Sequence, residues 1–228
     1  MSSNNLDKKV EDCRRKLFKC PSWLLDSWCH WLLLESQLNN LANALYHRFR
    51  QMGGIEYLEE SITHYRQLER FNRCPIGDHK RSASLDNLAN AVSTRFNQLG
   101  RMKDLEEAIT FHRQALALRP HGQPDRPQSL NNLANVLSTR FNQLGKMEDL
   151  EEAISCSRQA LRLHGHPHRS DSLSNLANAL STRFNQLGRM EDLEEAITCH
   201  RQALALRPHG HPNRSEIGKA SCRERVCR

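Results

Sequence analysis

Apolar residues between Ser129 and Leu163 fall into two stripes, each with a helical period. In the first, Leu130, Leu133, Ala134, Leu137, Phe141 and Leu144 recur at three- and four-residue intervals, the signature of one buried face on an α-helix. In the second, Met147, Leu150, Ala153, Ile154, Ser157, Ala160 and Leu161 do the same. Ser129 suits the start of the first helix, and Gly145 stands where a helix must stop and the chain turn left-handed. Glu148, Asp149, Glu151 and Glu152 crowd the first turn of the second helix, with Arg158 and Arg162 toward its other end, as the helix dipole favours. Only Gly145–Met147 separates the stripes, so the two helices are predicted to run antiparallel.

The same words recur. Near copies occupy Ser84–Leu118 and Ser172–Leu206, and a worn copy occupies Ser36–Phe71. The shared leucine falls at Leu41, Leu88, Leu133 and Leu176, giving steps of 47, 45 and 43 residues. A period in this range marks a stacked-repeat architecture. Small residues sit in register on the stripes: Ala89, Ala108 and Ala115; Ala134, Ala153 and Ala160; Ala177, Ala196 and Ala203. Alanine lets two helix backbones approach closely, and stacking of neighbouring copies buries what one hairpin leaves open.

The pattern Leu-x-x-Leu-Ala-x-x-Leu, then Gly, Glu-Glu-Ala-Ile and Ala-Leu, resembles the tetratricopeptide repeat. The unit here is longer than that family's usual one and is similar to the repeats of kinesin light chains. The wording SLSNLANALSTRFNQLGRMEDLEEAITCHRQALALRPHGHP most resembles arrays in large fungal proteins, several of which carry a caspase-like CHAT domain after the repeats. The resemblance covers residues 36–214. It implies an all-α, right-handed α-solenoid (superhelix) of stacked antiparallel helix hairpins.

Four units are expected, at 36–71, 82–119, 128–163 and 171–207, joined by linkers rich in Pro, Gly, His and Arg that suit surface loops. Residues 6–21 align with the second helix of the unit, with Arg14 on Arg113, but Lys9 and Lys16 replace the alanines at Ala108 and Ala115. Residues 1–35 therefore read as a degenerate half-repeat plus a Trp-rich N-terminal helix. Between Pro21 and Asn40 the chain holds seven more residues than between Pro120 and Asn132, including Trp23, Trp28 and Trp31. These form a docking patch or cap, extend the first helix of the first unit, or reflect a faulty gene model; the extension is preferred. Where a fifth helix is due, residues 215–228 instead resemble the translation of a sequencing adapter. They are expected to be artefactual and irregular, with any downstream domain missing.

Charge and cysteines narrow the partners. The formal net charge is +7, but residues 1–20 hold +3 of it and residues 216–228 hold +2. The mixed signs between them lack the one-signed stripe that nucleic acid requires. The eight cysteines form no Cys-x-x-Cys pair and share no constant place in the repeat, which suits thiols in a reducing, cytoplasmic setting. The most apolar run, Trp23–Leu34, is interrupted by Asp26 and His30 and is too short to span a membrane.

No convergent catalytic set is visible, since the polar residues recur in every copy. The chain is read as non-enzymatic and free of cofactors. His164, His166 and His168 alternate in a linker and could bind a metal, although no carboxylate or cysteine completes a closed set. The binding candidates lie opposite the first apolar stripe: Asn40 and Asn43, Asn87 and Asn90, Asn132 and Asn135, Asn175 and Asn178. The resemblance implies that first helices line a concave groove, where such asparagines bond the backbone of an extended peptide; each amide offers a donor and an acceptor without charge. The second asparagine of each pair is the stronger candidate. The alternative is that these amides link neighbouring repeats. Arg48, Arg95, Arg140 and Arg183 could add carboxylate contacts, while Arg113, Arg158 and Arg201 suit solvent or pairing with acids between repeats.

The leading expectation is a scaffold that binds a protein or peptide in its groove, with neither nucleic acid nor membrane as partner. The alternative is a regulatory arm of a larger CHAT-type protease or NTPase signalling protein, in contact with a missing C-terminal domain.

Overall fold

A computed structural model describes residues 3–18, 28–71, 78–162 and 168–207. The described residues form helices and connecting turns, with no strand among them. In order the helices are α1 (Ser3–Phe18), α2 (Trp28–Met52), α3 (Ile55–Phe71), α4 (Asp78–Leu99), α5 (Met102–Ala117), α6 (Arg126–Leu144), α7 (Met147–Leu161), α8 (Arg169–Leu187) and α9 (Met190–Leu206). Trp23, His164, His166 and residues 215–228 lie outside the described residues. Helix α2 begins at Trp28 and runs through Trp31.

The chain divides into two compact units, Met1–Leu118 and Arg119–Arg228. In the first, α2 pairs with α3 and α4 with α5; α1 packs on α2, and α3 packs on α4. In the second, α6 pairs with α7 and α8 with α9, while α7 and α6 both touch α8. Among the described residues no helix is long and apolar enough to cross a membrane.

Each hairpin turns on a glycine. Gly145 has φ 66°, and its N–H donates to the Phe141 carbonyl at 2.7 Å. Lys146 is extended and α7 starts at Met147, so the connection is two residues long, one shorter than expected. Gly100 and Gly188 take the same conformation. The turn also corrects the first stripe. Leu144, placed on the buried face by period alone, is 46% exposed, and its counterparts Leu99 and Leu187 are 41% and 46% exposed. They lie at the hairpin tip, past the reach of the second helix.

The starts of the first helices also differ from expectation. Ser129 does not cap α6; Asp125 occupies that place, without a side-chain cap bond. Pro127 stands in the first turn, where its missing N–H costs nothing and its fixed φ suits a helix. Ser129 is consequently inside the helix and fully buried, and its hydroxyl accepts from Arg119.

The alanines are where the backbones meet. Ala108, Ala115, Ala153, Ala160, Ala196 and Ala203 are all 0% exposed. In α3 the first of these places holds Ser61, whose hydroxyl donates across the hairpin to the Ala42 carbonyl at 2.9 Å. Only small side chains leave a backbone carbonyl within such reach. Around these crossings, Leu150, Ile154, Leu173, Leu176 and Leu180 pack as one apolar cluster of the second unit.

Candidate interaction surface

The first helices carry their polar residues as a strip. On α6, Gln128, Asn132, Asn135, Thr139 and Asn142 fall at helical spacing opposite the buried stripe; on α8 the matching residues include Asn175, Asn178, Thr182 and Asn185. These side chains are uncharged. The threonine hydroxyls are engaged: Thr94, Thr139 and Thr182 donate to the carbonyls of Asn90, Asn135 and Asn178, and Thr94 also meets Tyr46 Oη of the neighbouring hairpin at 2.8 Å. The amides are what remains.

Those amides divide into two groups. In the first unit, Asn43 Oδ1 accepts from Tyr65 Oη at 2.6 Å and from Asn87 Nδ2 at 3.4 Å. Burial pushes the Tyr65 phenol well above its ordinary pKa, so it stays a donor. Asn43 and Asn87 thus link neighbouring hairpins. In the second unit, Asn132 accepts from Gln128 at 2.9 Å within its own helix. Linkage between α6 and α8 falls to a residue outside the expected set: buried Asn131 donates to Ser172 Oγ at 2.8 Å. By contrast, no side chain among the described residues bonds the amides of Asn40, Asn90, Asn135, Asn175 or Asn178, and Asn40, Asn135 and Asn178 are exposed.

The arginines are placed differently from the expectation that they serve a ligand. Arg183 Nε and Nη2 clasp both oxygens of Asp192 at 2.8 and 2.6 Å, and its Nη1 reaches Glu151 of the preceding hairpin at 2.7 Å. Arg95 repeats this with Asp104 at 3.0 and 2.7 Å and with Glu59 at 2.8 Å. Arg140 holds Asp149 at 2.8 and 2.5 Å. Asp104, Asp149 and Asp192 are nearly inaccessible, at 3%, 3% and 4%. The bidentate bond to Arg183 holds the Asp192 carboxyl below its ordinary pKa, against the opposing effect of burial. These guanidinium groups join helices: the two of one hairpin and, for Arg95 and Arg183, the second helix of the hairpin before. Arg48 follows the same plan with one change. It pairs with Asp7 of α1, and its guanidinium lies 4.3 Å from the centroid of the Tyr57 ring, where the other hairpins have aspartate.

A second ladder joins the second helices. Arg14 bonds Glu60 at 2.6 Å, Arg66 bonds Glu107 at 2.8 Å and Arg158 bonds Glu195 at 2.6 Å. Arg14 therefore does in α1 what Arg66 does in α3 and Arg158 in α7. His168 is exposed, 3.6 Å from Asp171. Among the described residues no three His, Cys, Asp or Glu side chains are grouped to hold a metal ion.

Comparison with known proteins accords with this construction. The family profile of the tetratricopeptide repeat matches residues 81–123, 128–168 and 169–213. No curated protein matched the chain. Among solved structures, one described as a kinesin light chain from Podosopora anserina with nearly identical TPR-like repeats superposes with a TM-score of 0.61 at 20% identity, over 84% of this chain and 87% of that one. BtubC (BKLC) from P. vanneervenii gives 0.57 at 18% identity, over 97% and 87%. A thermophilic TPR protein from Thermus thermophilus gives 0.54 at 16%, over 92% and 98%. The shared fold class is the α-solenoid of helix hairpins.

Proposed function

The chain belongs to the tetratricopeptide repeat family, a class of protein-interaction scaffold, and we propose that it holds an extended segment of its partner along the amide strips of its first helices. One observation carries this reading. Asn135 and Asn178 occupy the same place on α6 and α8, are exposed, and have side-chain amides that no described residue uses. The arginines nearby are spent on holding helices together. Recognition at this strip therefore falls to neutral amides, which pair with the N–H and C=O groups of a peptide backbone whatever its side chains. Backbone bonding supplies affinity, and specificity comes from what flanks the strip. The absence of disulfides at Cys13, Cys156 and Cys199 fits a reducing compartment, for which we propose the cytoplasm.

The test is a pull-down with the full chain and its Asn135→Ala/Asn178→Ala variant. Loss of captured partner with unchanged helicity and melting supports the strip as the binding surface. Undiminished capture rejects it, and a variant that unfolds shows the two amides to be structural.

A further inference from the structure

Helix α1 departs from the other second-type helices at the positions where those helices meet their hairpin partner. Ala108 and Ala115 in α5, like their counterparts in α7 and α9, are 0% exposed. In α1 the same places are Lys9 and Lys16, and both are exposed. An ammonium group is almost never buried without a partner, so this face of α1 does not receive a packed helix as the others do. It borders instead a cleft of about 690 Å³ between α1 and α2, lined by Lys8, Lys9, Asp12, Lys16, Asn40 and Asn43 among others.

The chemistry of that cleft is one-sided. No described carboxylate pairs with Lys8, Lys9 or Lys16, whereas the one acid, Asp12, lies 3.7 Å from Arg15. The Asn43 oxygen is occupied by Tyr65 and Asn87, so Asn43 offers the cleft only its N–H groups. Asn40 adds a second amide with no partner among the described residues. Three ammonium groups and donor amides together select an anion. Nucleic acid is disfavoured because, among the described residues, no aromatic side chain lines the cleft to stack on a base.

We propose that this cleft binds an acidic peptide segment in extended, polyproline-like form, with carboxylates three residues apart. Lys9 and Lys16 are seven residues apart on one helix, a separation of about 10 Å at 1.5 Å per residue. A polyproline II strand rises about 9 Å in three residues and returns its side chains to the same face. Glutamates at every third position therefore meet both lysines at once. The inference rests on the groove reading above and gives it a direction, since Asn40 and Asn43 belong both to the cleft and to the strip of α2.

The experiment measures fluorescence anisotropy of the full chain with a labelled (Glu-Pro-Pro)3 peptide, its (Gln-Pro-Pro)3 counterpart and an oligouridylate RNA. The glutamate peptide should bind about tenfold or more tightly than the glutamine one, a difference of about 1.4 kcal/mol, and should weaken as salt is raised. Lys9→Glu/Lys16→Glu should abolish that preference, the milder Lys9→Gln/Lys16→Gln should reduce it, and Lys103→Glu at an exposed position on α5 should leave it intact. Equal binding of the two peptides, equal loss in the Lys103→Glu variant, or RNA outcompeting the glutamate peptide at the cleft overturns the proposal. Acidic-peptide binding that survives Asn135→Ala/Asn178→Ala but not Lys9→Glu/Lys16→Glu supports the cleft and leaves the strip in the second unit without support. The reverse pattern does the opposite.

Discussion

In the α8/α9 hairpin, Arg183 grips the buried Asp192 with two charge-assisted bonds and Glu151 with a third. In the α2/α3 hairpin, the arginine at the same place, Arg48, meets Asp7 on one side and the face of Tyr57 on the other. The carboxylate from the preceding helix is kept in both; the carboxylate from the hairpin's own second helix is replaced by an aromatic ring. A buried carboxylate depends on its arginine, because an uncompensated charge in a dry site is expensive, whereas a tyrosine ring is content without one. The two hairpins share a shape while differing in how much they lose when the arginine is removed.

That difference sets the largest expected effect. Arg183→Ala strands the Asp192 carboxylate and should cost about 3–5 kcal/mol, in the range for breaking a buried ion pair. Arg48→Ala forfeits a cation–π contact and a partly exposed ion pair, and should cost about 1–2 kcal/mol. Urea unfolding of the two variants, followed by circular dichroism, reads the contrast. Equal losses would mean that Asp192 finds other partners or solvent and that the ring is an equal substitute for the carboxylate.

The crossings, in contrast, should behave alike. Ala42 and Ala177 are both 0% exposed where the first helix meets the second. Enlarging either to leucine should overpack its hairpin by about 1–3 kcal/mol. Thermal melting of Ala42→Leu and Ala177→Leu checks this, and a variant that melts like the parent places its alanine away from the crossing.

Acid separates the hairpins again. Asp192 is held below its ordinary pKa by Arg183. Its stabilising contribution is therefore complete above the unfolded value near pH 4 and is lost as pH falls through the lower folded value. Asp192→Asn should flatten the pH dependence of stability below about pH 4. Tyr57→Asp should add such a dependence to α2/α3, which has no carboxylate at that place. If acid titrations of the Asp192→Asn variant and the parent coincide, the Arg183 clasp is not what acid dissolves.

Much of this architecture was legible in the chain itself. Period placed Leu133, Ala134 and Leu137 inside, and Gly145 marked the turn, because both follow from local geometry. The arginine clasp is harder to see along the chain, although its spacing is regular. Arg95 and Asp104, Arg140 and Asp149, and Arg183 and Asp192 are each nine residues apart across the turn glycine. Along the chain Asp149 looks like a charge for the helix dipole, and the pairing needs the hairpin closed before the residues meet. The start of α6 lies earlier than Ser129 suggests, because Pro127, which resembles a linker residue in the sequence, fits the first turn of the helix. The linking role of Asn131 was equally hidden, since one residue's rotation separates a buried amide from an exposed one.

The smallest effect concerns a position where the repeats disagree most. Tyr65, His112 and Ser157 occupy one place on the second helices and are all buried. Tyr65 reaches Asn43, and His112 Nδ1 lies 2.9 Å from Asp86 Oδ1. Ser157 is too short to cross to its first helix, and its hydroxyl has no partner among the described residues. A buried hydroxyl without a hydrogen bond is a net cost, and alanine is also the better helix former. Ser157→Ala should therefore leave stability unchanged or raise it by up to about 1 kcal/mol, whereas Tyr65→Phe, which removes a made bond and leaves Asn43 with only its longer contact to Asn87, should lower it by about 1 kcal/mol. Opposite signs at one repeat position, read in the same urea titration, would show that the polar group matters through its reach. A destabilised Ser157→Ala variant would show that the hydroxyl holds a bond worth keeping.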